Sequence, residues 1–94
     1  MLYYPAVVLI ELLAGRTSTR EAELRAILRQ MRFVGIEESI SEAAGTYLRT
    51  LRPSHGIGVP DAVVAATAKV LGCALVTCNR RHFPMTDIEV LVPY

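Results

Sequence analysis

The stretch GIGVPDAVVAATA, Gly56 to Ala68, is a glycine-punctuated turn that leads into a helix of small residues. Pro60 suits the first helical position because its φ is already close to the helical value and its missing N–H has no partner there. Asp61 then falls in the first turn, where the positive end of the helix dipole stabilises a carboxylate. The residues that follow are almost all apolar, which predicts a helix buried on most faces. The aspartate fits two interpretations, a residue that stabilises the helix and a residue of a binding site.

The composition is that of a small globular protein. Its 94 residues are 52% hydrophobic, so we expect one domain over residues 1–94. The net charge of +1 gives no strong overall attraction to nucleic acid or to a membrane. Nine of the ten basic residues are arginines, whose planar group suits phosphate recognition.

The apolar run from Ala6 to Ala14 contains Glu11 and is shorter than the roughly 20 residues that span a bilayer. No basic segment precedes it, so we expect neither a membrane span nor a signal peptide. Cys73 and Cys78 do not have the spacing of a zinc site and are expected to be reduced thiols in or near the core. These features predict a soluble, cytoplasmic protein.

Short apolar strand candidates alternate with helical patterns along the chain. Gly15 is expected to end the first helix in a left-handed conformation, Ser18 and Glu21 form a capping box for the second, and Pro53 is expected to stop the third. Such an alternation predicts parallel strands covered by helices on both faces, and therefore the α/β class. The predicted strands are 2–4, 33–36, 74–77 and 88–92, and the predicted helices are 6–14, 18–32, 38–51 and 60–72.

Glu11 is the only polar side chain of an otherwise apolar helix. A buried and unpaired carboxylate costs several kcal/mol, so the side chain must reach water, a cation or a metal ion. A glutamate exposed to solvent fits the same sequence, and both interpretations stay open.

The segment Val76–Phe83, VTCNRRHF, directly follows a predicted strand. Ligands of parallel α/β sheets bind beyond the carboxyl ends of the strands, which is where Thr77 and Asn79 stand. Arg80 and Arg81 could reach a phosphate group from the same place. An ordinary polar loop is the alternative. His55 and His82 are each isolated in the sequence, and no motif places a serine or cysteine nucleophile, so we do not expect a histidine-based triad.

Four segments, VVLIELLAG, SHGIGVPDAVVAATA, LVTCNRRHF and IEVLVPY, together resemble the PIN domain, in particular the ribonuclease toxins of the VapC type. The resemblance covers essentially the whole chain. It implies a parallel sheet with helices on both faces, and an acidic cluster at the strand ends that binds Mg²⁺ or Mn²⁺ and hydrolyses RNA. The implied partners are RNA and a cognate antitoxin protein.

The resemblance also implies roles for individual residues. Glu11 and Asp61 match metal ligands of the family, and Asn79 falls where many members carry a further acidic residue. These three are the implied catalytic residues. Thr77 and Asn79 would orient water or phosphate, and the side chains implied to contact RNA are Thr77, Arg80 and Arg81.

The sequence departs from the family in one respect. PIN domains open with a central strand that carries the first metal-binding aspartate, whereas the aspartates here are Asp61 and Asp87. We therefore expect an N-terminally truncated PIN-like sheet in which the central strand and its aspartate are missing, so that the neighbouring strands have unpaired edges. Unpaired strand edges favour association, so we expect a homodimer, for which exchange of elements between the two copies is one route. A site that is short of one carboxylate binds Mg²⁺ less tightly, so we expect weak or no nuclease activity from this chain alone.

Three functions therefore stay open. The first is a metal-dependent endoribonuclease of the toxin type. The second is a non-catalytic PIN remnant that dimerises or binds an antitoxin. The third is a small α/β module unrelated to nucleases, which a wide separation of Glu11 and Asp61 would favour.

Overall fold

The computed structural model of the chain describes residues 2–15 and 19–93, without the side chains of residues 19 and 20. The chain divides into two compact units, Met1–Gly35 and Ile36–Tyr94. Each unit contains a two-stranded parallel sheet and its own helices. The expectation of a single domain over residues 1–94 stays a prediction.

The N-terminal unit consists of two short parallel strands with helices between them. Tyr4 of the first strand lies opposite Phe33 of the second, and their rings meet edge to face with centroids 5.6 Å apart. Pro5 is the last residue of its strand, where a proline is tolerated because it sits at the end of a ladder. The elements are β1 (Tyr3–Pro5), α1 (Ala6–Ala14), α2 (Thr19–Leu28) and β2 (Arg32–Val34).

Two predictions for this unit are wrong. Gly15 does follow α1, but its φ of −70° is open to any residue and is not left-handed. Helix α2 ends at Leu28 and not near Arg32, because tight turns follow it and the Arg32 N–H pairs with the Leu2 carbonyl, at 2.8 Å. Residue Ser18 of the predicted capping box lies outside the described residues.

The C-terminal unit is organised around two packed helices, α3 (Glu38–His55) and α4 (Val59–Leu71). Ala62, Ala65 and Ala66 of α4 are completely buried. The predicted burial of this helix is therefore confirmed. The buried residues of α3 are Ile40, Ala44 and Tyr47.

Both helices end at a glycine in the left-handed region, Gly56 with φ 64° and Gly72 with φ 67°. Such a φ suits glycine because it has no Cβ. The prediction that Pro53 stops α3 is wrong. The helix continues to His55, because a proline in the last turn removes a single backbone hydrogen bond close to the helix end.

The second sheet pairs β3 (Leu75–Val76) with β4 (Val90–Leu91) in parallel. A 3₁₀ turn, Arg80–His82, lies between them in the chain. Leu75 and Val90 are buried opposite each other, and their neighbours Val76 and Leu91 are 57% and 44% exposed. The α/β class and the parallel pairing are thus confirmed, although the ladders are shorter than predicted.

Two further observations bear on the sequence predictions. Cys73 and Cys78 are both exposed, so their expected position in or near the core is wrong. Among the described residues, no helix is both long and apolar enough to cross a membrane.

Candidate functional site

Asp61 lies in the first turn of α4, as its sequence context predicts. Gly58 is the N-cap, and its carbonyl accepts the Ala62 N–H at 3.0 Å. The helix begins at Val59, so Pro60 is its second residue and not, as predicted, its first. The Asp61 side chain is 38% exposed, so its oxygens can be reached from solvent.

The carboxyl end of β3 is shaped by hydrogen bonds around Thr77. The Thr77 N–H donates to the Leu91 carbonyl at 3.0 Å, and its Oγ1 accepts the Asn79 N–H at 3.0 Å. The Asn79 carbonyl then accepts the His82 N–H at 2.9 Å and closes the 3₁₀ turn. Thr77 and Asn79 are therefore brought together, and the exposed Asn79 side chain takes no part in these hydrogen bonds.

His82, which is isolated in the sequence, stands beside Asp61 in the fold. Its Nδ1 lies 3.8 Å from Asp61 Oδ2, and the His82 side chain is half exposed. The sequence signal was present, because the loop after β3 was predicted to lie at the ligand-binding end of a strand. His55, by contrast, contacts its own neighbour Ser54, with Oγ and Nδ1 2.7 Å apart.

The two arginines of the 3₁₀ turn differ in their surroundings. Arg80 Nη1 donates to the Val90 carbonyl at 2.6 Å, which fixes part of its guanidinium against β4. Arg81 is exposed. Both line an open cleft of about 710 Å³, whose other walls are Phe83, Pro84, Met85, Thr86, Ile88 and Val90. Their contact with RNA stays a prediction.

Glu11 is exposed on α1, which fits the interpretation of a solvated side chain. It belongs to the N-terminal unit, whereas Asp61, Thr77 and Asn79 belong to the C-terminal unit. The grouping of Glu11 with Asp61 and Asn79 stays a prediction.

A metal centre of three or more clustered His, Cys, Asp or Glu side chains is not found within residues 2–15 and 19–93. The donor chemistry beside α4 nevertheless fits part of such a centre. Asp61 offers a solvent-accessible carboxylate oxygen, and His82 offers an imidazole nitrogen at a distance that one cation can bridge. The pair is thus a partial ligand set that needs further ligands or water.

Asp87 has a different role from Asp61. Its Oδ1 accepts the Tyr47 hydroxyl at 2.8 Å, and its Oδ2 accepts Lys69 Nζ at 2.6 Å. The hydrogen bond from Lys69 lowers the pKa of the Asp87 carboxyl below its usual range. Burial, and then the bond to Asp87, raise the pKa of the Tyr47 hydroxyl well above its usual value. This cluster joins α3, α4 and the loop before β4, and sequence reasoning did not find it.

Comparisons with known proteins agree with the fold. A model of the PIN domain family matches residues 1–88. The chain is 40% identical over 80 residues to Ribonuclease VapC19 of Mycobacterium tuberculosis, and this match covers 84% of this chain and 64% of that protein. It is 38% identical over 78 residues to Ribonuclease VapC10 of the same organism, covering 82% of this chain and 59% of that protein. The chain thus spans about three fifths of the length of these relatives.

A solved chain from a toxin–antitoxin complex of Klebsiella pneumoniae superposes with a TM-score of 0.70. The match covers 96% of this chain and 72% of the solved chain, at 22% sequence identity. It shows the fold.

Proposed function

The chain belongs to the PIN domain family, and on that premise we propose that it is a metal-dependent endoribonuclease of the VapC toxin type. The observation that carries the proposal is the position of Asp61. Its carboxylate is accessible at the start of a buried helix, beside the His82 ring that follows β3. A carboxylate of this kind suits a hard divalent cation, which prefers oxygen ligands and keeps several waters.

In this proposal Asp61 and Glu11 bind Mg²⁺ or Mn²⁺. When bound, the cation supplies a more acidic water and stabilises negative charge on the phosphoryl oxygens. Asn79 and Thr77 orient water or phosphate from the carboxyl end of β3. Arg81, together with the part of Arg80 that does not contact Val90, binds the RNA backbone.

The test is cleavage of single-stranded RNA with and without Mn²⁺, by the wild-type chain and by Glu11→Gln and Asp61→Asn. We expect weak cleavage that requires the cation and that falls in both variants. Asp87→Asn is the matched control, since it removes a carboxylate that is already occupied by Tyr47 and Lys69. Equal behaviour of the wild type, Glu11→Gln and Asp61→Asn would contradict the proposal.

The proposed macromolecular partner is a cognate antitoxin protein in the cytoplasm. The relatives are named ribonucleases, and the solved chain comes from a toxin–antitoxin complex. Helix α1 carries Ile10 and Leu13, which are 58% and 53% exposed and offer apolar surface to a protein partner. We expect the antitoxin to suppress RNA cleavage by the wild type and to do so less in Leu13→Lys. Equal suppression in both would place the antitoxin elsewhere.

We also propose that the chain forms a homodimer, for which exchange of elements between the two copies is one route. In the part of the chain that the structure describes, each strand pairs with one neighbour, which leaves its other edge open. Val76 and Leu91 add exposed apolar surface on the second sheet. Size-exclusion chromatography with light scattering should give a dimer at micromolar concentration, weakened in Val76→Lys. A compact wild-type monomer would contradict this.

The alternative function is a non-catalytic PIN protein that acts by dimerising or by binding an antitoxin. It is favoured by the finding that no three clustered ligand side chains are present among the described residues. This alternative predicts association without any metal-dependent RNA cleavage. The Glu11→Gln and Asp61→Asn comparison therefore separates the two functions.

A further inference from the structure

The contact between Asp61 and His82 joins two residues that lie 21 positions apart in the chain and belong to different elements. Asp61 is in the first turn of α4, and His82 is the last residue of the 3₁₀ turn after β3. Asp61 Oδ2 and His82 Nδ1 are 3.8 Å apart, and the two side chains are 38% and 50% exposed. The fold thus presents a carboxylate and an imidazole to solvent at the same place.

This contact does little to hold the fold together. At 3.8 Å the two atoms are too far apart for a hydrogen bond. An ion pair between half-exposed groups contributes little to stability, because water screens it. The position of His82 is set by its backbone, since its N–H donates to the Asn79 carbonyl at 2.9 Å. The imidazole is therefore held near Asp61 by the turn, with its Nδ1 not engaged by that carboxylate.

The separation allows one cation to contact both atoms. Donor oxygen and nitrogen atoms lie roughly 2.0–2.2 Å from a bound Mg²⁺ or first-row transition ion, so two ligands of one ion are separated by up to about 4 Å. The observed 3.8 Å falls within that limit.

The two donors also differ in chemical preference. Carboxylate and water suit Mg²⁺ and Mn²⁺ alike, whereas an imidazole nitrogen suits first-row transition ions and adds little for Mg²⁺. On the basis of the proposed function, we propose that His82 is a second protein ligand of the cation bound by Asp61. Its nitrogen makes the site select Mn²⁺ over Mg²⁺.

The direct test is pulsed electron paramagnetic resonance of the full chain loaded with Mn²⁺. Coordination by His82 predicts ¹⁴N modulation of the Mn²⁺ spin echo in the wild type. The modulation is lost in His82→Gln and kept in His55→Gln, which changes the other histidine of the sequence. Circular dichroism checks that the variants are folded. The wild-type spectrum tests nitrogen coordination even if a variant does not fold. Bound Mn²⁺ without ¹⁴N modulation would overturn the inference.

A second measurement tests the selectivity. Titration should show that His82→Gln weakens Mn²⁺ binding by about 10-fold or more, the scale expected for loss of a group that supports a metal site. Mg²⁺ binding should change much less. An equal change for both ions would overturn the assignment of selectivity to His82.

Asp61→Asn separates this inference from the proposed function. If Asp61→Asn abolishes Mn²⁺ binding while His82→Gln changes neither affinity nor spectrum, the inference alone fails. If Asp61→Asn leaves Mn²⁺ binding unchanged, or if the wild type binds no Mn²⁺ at millimolar concentration, the proposed function fails together with the inference.

Discussion

Asp61 and Asp87 are the two aspartates of this chain, and they stand in opposite surroundings. Both oxygens of Asp87 accept hydrogen bonds, from Tyr47 at 2.8 Å and from Lys69 at 2.6 Å. The contact of Asp61 with His82, at 3.8 Å, is longer than a hydrogen bond. Asp61 is nevertheless no more exposed than Asp87, at 38% against 43%.

Exposure alone therefore does not tell the two aspartates apart. The difference lies in what their oxygens already bind. A carboxylate whose oxygens are occupied by side chains of two packed helices stabilises the fold and has little left for a ligand. A carboxylate at a helix start, beside an imidazole that does not hydrogen-bond to it, keeps its oxygens for a cation and water.

The largest expected effect is on RNA cleavage. Asp61→Asn removes the charge that binds the cation, and we expect metal-dependent cleavage to fall by about 10-fold to 100-fold, as is typical when a metal site is impaired. Asp87→Asn should leave cleavage within a few-fold of the wild type. The assay follows a fluorescent single-stranded RNA in Mn²⁺. Similar losses in both variants would remove the distinction between the two aspartates.

The next effect is on stability, where we expect the change at Asp87 to matter more than the change at Asp61. Asp87→Ala leaves the buried Tyr47 hydroxyl without its acceptor, and we expect the free energy of unfolding to fall by about 1–2 kcal/mol. Asp61→Ala should cost less than about 1 kcal/mol, the scale of a carboxylate at a helix start. Urea denaturation followed by circular dichroism measures both. Tyr47→Phe is the control, since its cost should shrink in the Asp87→Ala background if the two side chains act as a pair.

The pH dependence of stability tests the role of Asp87 in the fold. The folded-state pKa of Asp87 lies below its ordinary value of 3.8, so its contribution to stability is present above that pH and is lost as the pH falls through the folded-state pKa. The stability difference between the wild type and Asp87→Asn should therefore be constant near neutral pH and shrink below about pH 4. Urea midpoints at several pH values measure it. Lys69→Met should reduce this acid dependence, because the Lys69 hydrogen bond is its main cause.

The smallest effect concerns Lys69 alone. Its ammonium contacts Asp87 and lies 5.6 Å from the centroid of the Tyr47 ring, but the side chain is 48% exposed. We expect Lys69→Met to cost about 0.5 kcal/mol at low salt and less at 1 M salt, since water and ions screen an exposed pair. Denaturation at both salt concentrations measures this. A cost above that of Asp87→Ala would contradict the ranking.

The parts of the fold that the sequence predicts well have local causes. Helix α4 is set by Pro60, by its run of small apolar residues and by Gly72, and it forms where expected. Strand lengths do not depend on local sequence alone, because a strand continues only while its partner strand stays in register. The observed ladders are short. Helix α3 passes Pro53 because the C-cap at Gly56, and not the proline, fixes its end.

The candidate site, like the fold, could be predicted only where its causes are local. The place of Asp61 follows from its neighbours in the sequence. The loop that carries His82 was predicted to lie at the ligand-binding end of β3, but the contact of His82 with Asp61 depends on the packing of two elements far apart in the chain and could not be predicted. The Tyr47, Lys69 and Asp87 cluster joins three elements and carries no local signal. The grouping of Glu11 with Asp61 stays a prediction.

The central claim is that Asp61 binds a divalent cation and that Asp87 does not. Titration of the folded wild type, Asp61→Asn and Asp87→Asn with Mn²⁺, followed by the free-ion signal in electron paramagnetic resonance, tests it most directly. We predict that Asp61→Asn weakens binding by about 10-fold or more, whereas Asp87→Asn binds like the wild type. Binding that survives in Asp61→Asn, or that is lost in Asp87→Asn, would contradict the claim.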